Sequence, residues 1–222
     1  MIDQLKIEID ELQGLNWGSL SIGASITIGI YILPQILGNF KSLYPHIDIS
    51  LDIVLNRQVI DKILDNSIDI GFLGAPVDDT RIHTGVFLKD DLVLIVPAGH
   101  EWAERDEIEP LELMTQPFII SRKGSGTRHI IEERLGQAGV VLKKGMEFGH
   151  TEAVKKAVES GLGVSILSKT VIKREEQVGV IKALHLVGVD LQRNFYFAYR
   201  NDKYMTNTAR TFLHFAANDY VE

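Results

Sequence analysis

Along the first half of the chain the spacing of apolar residues changes period several times, and each change marks an element. Ile2, Leu5, Ile9 and Leu12 recur at steps of three and four, the a/d seam of a short coiled coil, and the run stops at Gly14. LSIGAS then reads as a strand. It is followed by a strongly apolar helix from about Gly29 to Tyr44, in which Ile30, Ile32, Leu33, Ile36, Leu37, Phe40 and Leu43 cover more than one face. A single sheet cannot bury all of them, so a second contact surface is expected. In IDISLDIVL the alternation is strict, with Ile47, Ile49, Leu51, Ile53 and Leu55 on one side of a half-buried strand. Val59, Ile60, Ile63 and Leu64 mark the next helix face, and DIGFLG a short buried strand.

Strand, helix, strand, helix, strand is the order of a parallel sheet wrapped by helices. The pattern then begins again. DLVLIVP and PFIIS read as buried strands, Thr127 to Gln137 as a helix, and KGMEFG as a strand. TEAVKKAVESGLG reads as a helix with Ala153, Val154, Ala157, Val158 and Leu162 inward, and VSILS as a strand. NFYFAYR and a helix carrying Ala209, Phe212, Leu213 and Ala216 close the chain and could return to the first lobe. The expected architecture is α/β, with two Rossmann-like lobes joined by two crossover segments. Residues 18–89 and 191–222 form lobe I and residues 90–190 form lobe II; the helix within residues 1–17 reads as one severed from something upstream. Folds of this kind bind ligands in a cleft at the carboxyl ends of their parallel strands.

Composition narrows the function classes. The 222 residues are 45% hydrophobic with a formal charge of −7 and no cysteine. Thiolate metal sites, disulfides and a cysteine nucleophile are excluded. No apolar run approaches the roughly 18 residues of a membrane span. The amino terminus has neither the basic region nor the apolar block of a signal peptide, which points to the cytoplasm. An acidic chain without a basic stripe should not hold the DNA backbone by itself. Neither G-x-S-x-G nor H-E-x-x-H occurs, and the seven histidines are scattered, so an enzyme is not expected. The acid pairs Asp78-Asp79 and Asp90-Asp91 read as solvated loop charges.

The segment SRKGSGTRHIIEER, residues 121–134, carries the most specific chemistry. Glycines let backbone N–H groups approach a ligand, and a helix start adds unpaired donors and a partial positive charge, so an anion is the natural occupant. The spacing fits neither nucleotide fingerprint, because His129 stands where a third glycine is needed and no Gly-Lys-Ser/Thr follows. Helix capping by Ser125 or Thr127 is the plainer reading of the same residues. Arg128 has two readings as well: an ion pair with Glu132 four residues on, or, as favoured here, a two-point bond to an anionic ligand.

As a set, SLSIGAS with its apolar helix ending in YP, DIGF at Asp69–Phe72, GSGTR, and EAVKKAVESGLGVSILS resemble the effector-binding domain of LysR-type transcriptional regulators. The match runs from Gly18 through nearly the whole chain. The resemblance implies a periplasmic-binding-protein-like (type II) fold and a small anionic metabolite as effector, with no cofactor and no metal. It also implies that the leading heptads are the end of a linker helix whose winged helix-turn-helix domain is missing, so that DNA would be met only through that domain. Carried over to this chain, the effector cleft comprises Ser25 and Thr27 after the first strand, then Ser121, Ser125, Gly126, Thr127 and Arg128 in the glycine loop, and then His150 and Thr151 at a third helix start. Capping is again the plainer reading of Ser25, Thr27 and Thr151. Ile28 departs from the pattern, since some anion sensors of the family carry a polar side chain there. A homodimer is expected along helix 30–44 against the partner's second lobe, or a tetramer for a full-length protein, without membrane contact. The alternative is a periplasmic solute-binding protein of an anion transporter, which would have no use for the heptads.

Overall fold

The computed structural model describes residues 17–202 and 204–219. The heptad positions Ile2, Leu5, Ile9 and Leu12 lie outside the described residues. The described residues divide into two compact units, one made of residues 17–88 together with those from Asn194 onward, the other of Lys89–Arg193.

In the first unit β1 (Gly18–Ala24) lies between β2 (Ile47–Ile53) and β3 (Ile70–Leu73), parallel to both. β10 (Gln192–Arg200) runs antiparallel beside β3, and the leading part of β4 (Ile82–Pro97) is next in order. Leu20 and Ile22 of β1 alternate onto one face, where α1 (Ile26–Tyr31), α2 (Leu33–Leu43) and α7 (Asn207–Asp219) cover them. α3 (Asn56–Leu64) sends Val59 and Ile63 into a separate cluster with Ile68, Leu73 and Ala198. At Gly71 a Cβ would stand 2.7 Å from both Val59 and Ile63 side chains, so only glycine lets α3 come this close.

The helix expected over 29–44 is two helices. Pro34 falls in the first turn of α2, where its ring and missing N–H end any continuous helix from α1, and Ile32 breaks the ladder with φ −113°. The second contact surface demanded by the apolar helix is α7: Phe40 meets Phe212 edge-on at 5.1 Å and Phe215 at 5.4 Å. Leu33, Ile36 and Phe40 are fully buried, each contributing about 1.5–3 kcal/mol, while Ile30 and Leu43 remain 45% and 63% exposed. The excess apolar surface is therefore smaller than the sequence suggests, because the carboxyl-terminal helix covers most of it.

In the second unit the trailing half of β4 is central, antiparallel to β8 (Ser165–Ser168) on one side and to β9 (Ile181–Leu186) on the other. β5 (Glu107–Ile108) extends the sheet beyond β9. β6 (Phe118–Ser121) and β7 (Lys144–Phe148) form a separate parallel pair. The helices are α4 (Gly126–Gln137), α5 (Thr151–Glu159) and α6 (Lys169–Gln177), with a 3-10 turn at Pro110–Thr115. The βα repeat expected for this half holds at β6-α4, β7-α5 and β8-α6, whereas β4 runs against β8 and β9. Leu92, Leu94, Val96, Phe118, Ile131, Leu135 and Ile166 share its core. Leu162, expected inward, is 45% exposed, because α5 ends at Glu159 and the helical phase is lost before it.

Candidate functional site

β6 and β7 run parallel, with a register shift between Phe118 and Ile119, and at their carboxyl ends Ser121 stands opposite Phe148 and the Arg122 N–H donates to the Phe148 carbonyl at 2.9 Å. The helices that follow them, α4 and α5, must therefore begin at the same edge of this pair, outside the carboxyl ends of its strands. That edge carries six of the expected residues: Ser121, Ser125, Gly126, Thr127, His150 and Thr151.

The loop into α4 is shaped by Gly124, whose φ of +86° is a left-handed value that L side chains avoid. Ser125 stands at the N-cap with φ −72°, ψ 127°, and its carbonyl receives the His129 N–H at 3.2 Å. His150 is the N-cap of α5, and its carbonyl receives the Val154 N–H at 3.1 Å. Neither residue makes a side-chain capping bond. The opening N–H groups of both helices have no intrahelical acceptor, and the two helix dipoles place their positive ends at this edge. Donors and hydroxyls here suit an anion.

Arg128 is placed differently from the favoured reading. Its guanidinium is buried and already held within the unit, by Glu132 through Nε at 2.8 Å, by Glu147 of β7 through Nη1 at 2.7 Å, and by the Ser121 carbonyl at 3.0 Å. The bond to Glu147, above all, holds its pKa above the usual guanidinium value. Arg128 staples α4 to the ends of β6 and β7, and the pairing with Glu132 is real. The periodicity could not reveal Glu147, nineteen residues away.

Thr127 reveals a network the sequence reading missed. Its Oγ1 accepts from Arg193 Nη1 at 2.9 Å; Arg193 Nε donates to Asp90 Oδ2 at 2.7 Å, and the other Asp90 oxygen accepts from Ser168 Oγ at 2.5 Å. Asp90 is 4% exposed and Arg193 8%. The reading of Asp90-Asp91 as a solvated pair is therefore wrong for Asp90, which lies on β4 rather than in a loop. Neighbours on a strand point to opposite faces, so Asp91 stays exposed while Asp90 enters the interior. Desolvation lowers the pKa of Arg193 and Asp90 opposes it; an arginine starts high enough to stay charged. The available signal was alternation in QRNFYFAYR, where Arg193 is in phase with buried Phe195 and so demands an inward acid.

In the other unit Ser25 and Thr27 lie at the carboxyl end of β1, the strand between β2 and β3. Ser25 is the N-cap of α1 without a side-chain capping bond, and its N–H is bonded to the Phe72 carbonyl at 2.9 Å. Thr27 is half-buried, and Ile28 is wholly buried in the core, which accounts for an apolar residue at that position. Among the described residues no group of three or more metal-ligating side chains converges, and no helix is long and apolar enough to cross a membrane.

Residues 13–220 match the model of the LysR substrate binding domain. The chain is 37% identical over 212 residues to the HTH-type transcriptional activator CmpR of Synechocystis, covering 96% of this chain and 69% of that protein. It is 34% identical over 208 residues to a RuBisCO operon transcriptional regulator of Acidithiobacillus ferrooxidans, covering 94% of this chain and 67% of that one. Among solved structures, the Synechocystis CcmR regulatory domain in complex with 2-PG superposes with a TM-score of 0.83 at 28% identity, over 90% of this chain and 96% of that one.

Proposed function

Because the chain belongs to the LysR substrate binding domain family, and is the effector-sensing domain of a LysR-type transcriptional regulator, we propose that its effector is a small anionic metabolite. The observation that carries this is the shared edge of β6 and β7. Two helix starts open there, on N-cap residues whose side chains are not spent on capping, beside the hydroxyls of Ser121, Thr127 and Thr151. Backbone donors and hydroxyls neutralise a compact charge without a metal. Ser25 and Thr27, at the carboxyl end of β1, are proposed as further effector contacts. Arg128 acts by holding α4 in place, and the exposed Lys123 is left to supply counter-charge. The reading fits the CcmR domain, which binds 2-PG, and it leaves no support for a periplasmic carrier, since the relatives are transcriptional regulators.

In this reading the protein works in the cytoplasm, and effector binding controls transcription by favouring one of two conformations in proportion to its difference in affinity for them. It acts as a homodimer, for which Ile30 and Leu43 are the exposed apolar side chains of the α1–α2 segment. Light scattering at micromolar concentration should give twice the chain mass; a strictly monomeric mass removes the dimer. Titration calorimetry tests the effector class with 2-PG, inorganic phosphate, sulfate and acetylserine. At least one should bind, and Thr127→Val, which keeps the shape and removes the hydroxyl, should weaken it by about 1–3 kcal/mol. No heat from any of the four at millimolar concentration overturns the reading.

A further inference from the structure

The Thr127 hydroxyl has one proton to place, and Arg193 decides where. Arginine has donors only, so a hydroxyl oxygen that accepts from its Nη1 at 2.9 Å cannot return a proton to it. The proton must go to an acceptor on another side. Arg193 in turn is fixed by a carboxylate that is itself committed: Asp90 takes Nε on one oxygen and the Ser168 hydroxyl on the other. Ser168 is the N-cap of α6, yet it makes no capping bond there, because its hydroxyl goes to Asp90. Four side chains from β4, β8, α4 and β10 thus form one chain of directed bonds that ends at the first turn of α4.

We propose that Arg193 is a positioning residue of the effector site, which directs the Thr127 hydroxyl proton toward the ligand, with Asp90 and Ser168 holding Arg193 in place. This rests on the anion-sensing reading of the α4 start and adds a selectivity to it. A hydroxyl left to itself can turn its proton any way; with one lone pair taken by Arg193 its proton is turned away from that guanidinium, and a proton directed at the ligand rewards an unprotonated oxygen. The charge of Arg193 is balanced by Asp90, so what it delivers to the site is direction, not a free cation. Asp90 lies just beyond the crossing of the chain at Leu88/Lys89, and Arg193 is the last residue before the crossing at Arg193/Asn194. Occupation of the Thr127 site is thereby linked by two hydrogen bonds to both strands that pass between the units.

A double-mutant cycle on the whole chain, read by calorimetry with 2-PG, separates this role from a structural one. Arg193→Lys keeps a charge beside Asp90, but a single ammonium lacks the planar fork that holds Asp90 and Thr127 together. Arg193→Lys and Thr127→Val should each raise Kd about tenfold, and the double variant should be no weaker than either alone, because both remove one directed proton. If Arg193→Lys does not fold by circular dichroism, Ser168→Ala replaces it, with an expected rise of about threefold that vanishes in the Thr127→Val background. Additive losses, giving a double variant about a hundredfold weaker, mean that Arg193 acts on structure in general and overturn the proposal, as does an unchanged Kd in Arg193→Lys and Ser168→Ala. Absence of 2-PG binding to the native chain, together with none for phosphate or sulfate, sinks the anion reading and this proposal with it. Binding to the native chain with an additive cycle sinks this proposal alone.

Discussion

Two pairs of adjacent aspartates, twelve positions apart in the chain, meet opposite fates, and backbone geometry alone separates them. Asp78 and Asp79 sit in the loop ahead of β4, where Asp79 bends the chain into the strand by accepting the Arg81 N–H at 2.9 Å and grips the Arg81 guanidinium at 3.0 and 2.7 Å. Asp90 and Asp91 sit inside β4, where the pleat sends one to water and the other into the second unit's interior. The loop acid serves its neighbour two residues on. The strand acid serves a partner 103 residues away and, through it, Thr127. Whether an acid does local or long-range work is thus decided by the conformation it stands in, and the dipeptide itself is silent about it.

The largest expected effect comes from breaking the strand acid. Asp90→Ala strands the Arg193 charge in the interior and removes the acceptor of Ser168, a loss of about 3–5 kcal/mol for a buried pair left half-made. Asp91→Ala, one residue on, loses only the exposed contact with Gln192 and should change stability by no more than about 0.5 kcal/mol. Urea unfolding of the two variants side by side measures the contrast. Similar midpoints would mean that the interior position of Asp90 has no energetic consequence.

How much of this was legible follows from the same contrast. Strict alternation exposed β2, and stepwise apolar faces exposed α3 and α5, because a half-buried strand or an amphipathic helix must repeat its buried side chains at its own period. α6 hides from that test: its buried positions are Val171, Ile172 and Glu175, so one of three is charged, and Glu175 is tolerated only because Lys155 reaches it at 2.9 Å. β9 hides as well, since IKALHL buries Ile181, Leu184 and Leu186 out of strict alternation. The glycine loop and the helix starts were readable because they depend on local backbone rules. Glu147 beside Arg128 was not, and for Arg193 alternation marks only the inward position, because the partner in a buried ion pair is specified by tertiary proximity and leaves no periodic trace of its own.

The smallest expected effect belongs to the loop acid, and its sign can be worked out. The Arg81 guanidinium, assisted by the Arg81 N–H, holds the Asp79 carboxyl down at about 2, below the ordinary 3.8. A folded-state pKa below the unfolded one means that the carboxylate stabilises the fold fully above the unfolded value, and that this contribution fades as pH falls from about 4 toward 2. Asp79→Asn keeps one oxygen for the Arg81 N–H and loses the charge together with the acceptor of Arg81 Nη2. The native chain should therefore exceed the variant by a small constant margin at pH 7 and pH 5, and the margin should close between pH 4 and pH 2. The pair is partly open to solvent, so added salt should shrink the margin at pH 7 too. Urea midpoints across that range, at low and high ionic strength, make the measurement. A margin that widens as the solution is acidified, or that ignores salt, would mean that Asp79 is held by something other than its neighbour two residues on.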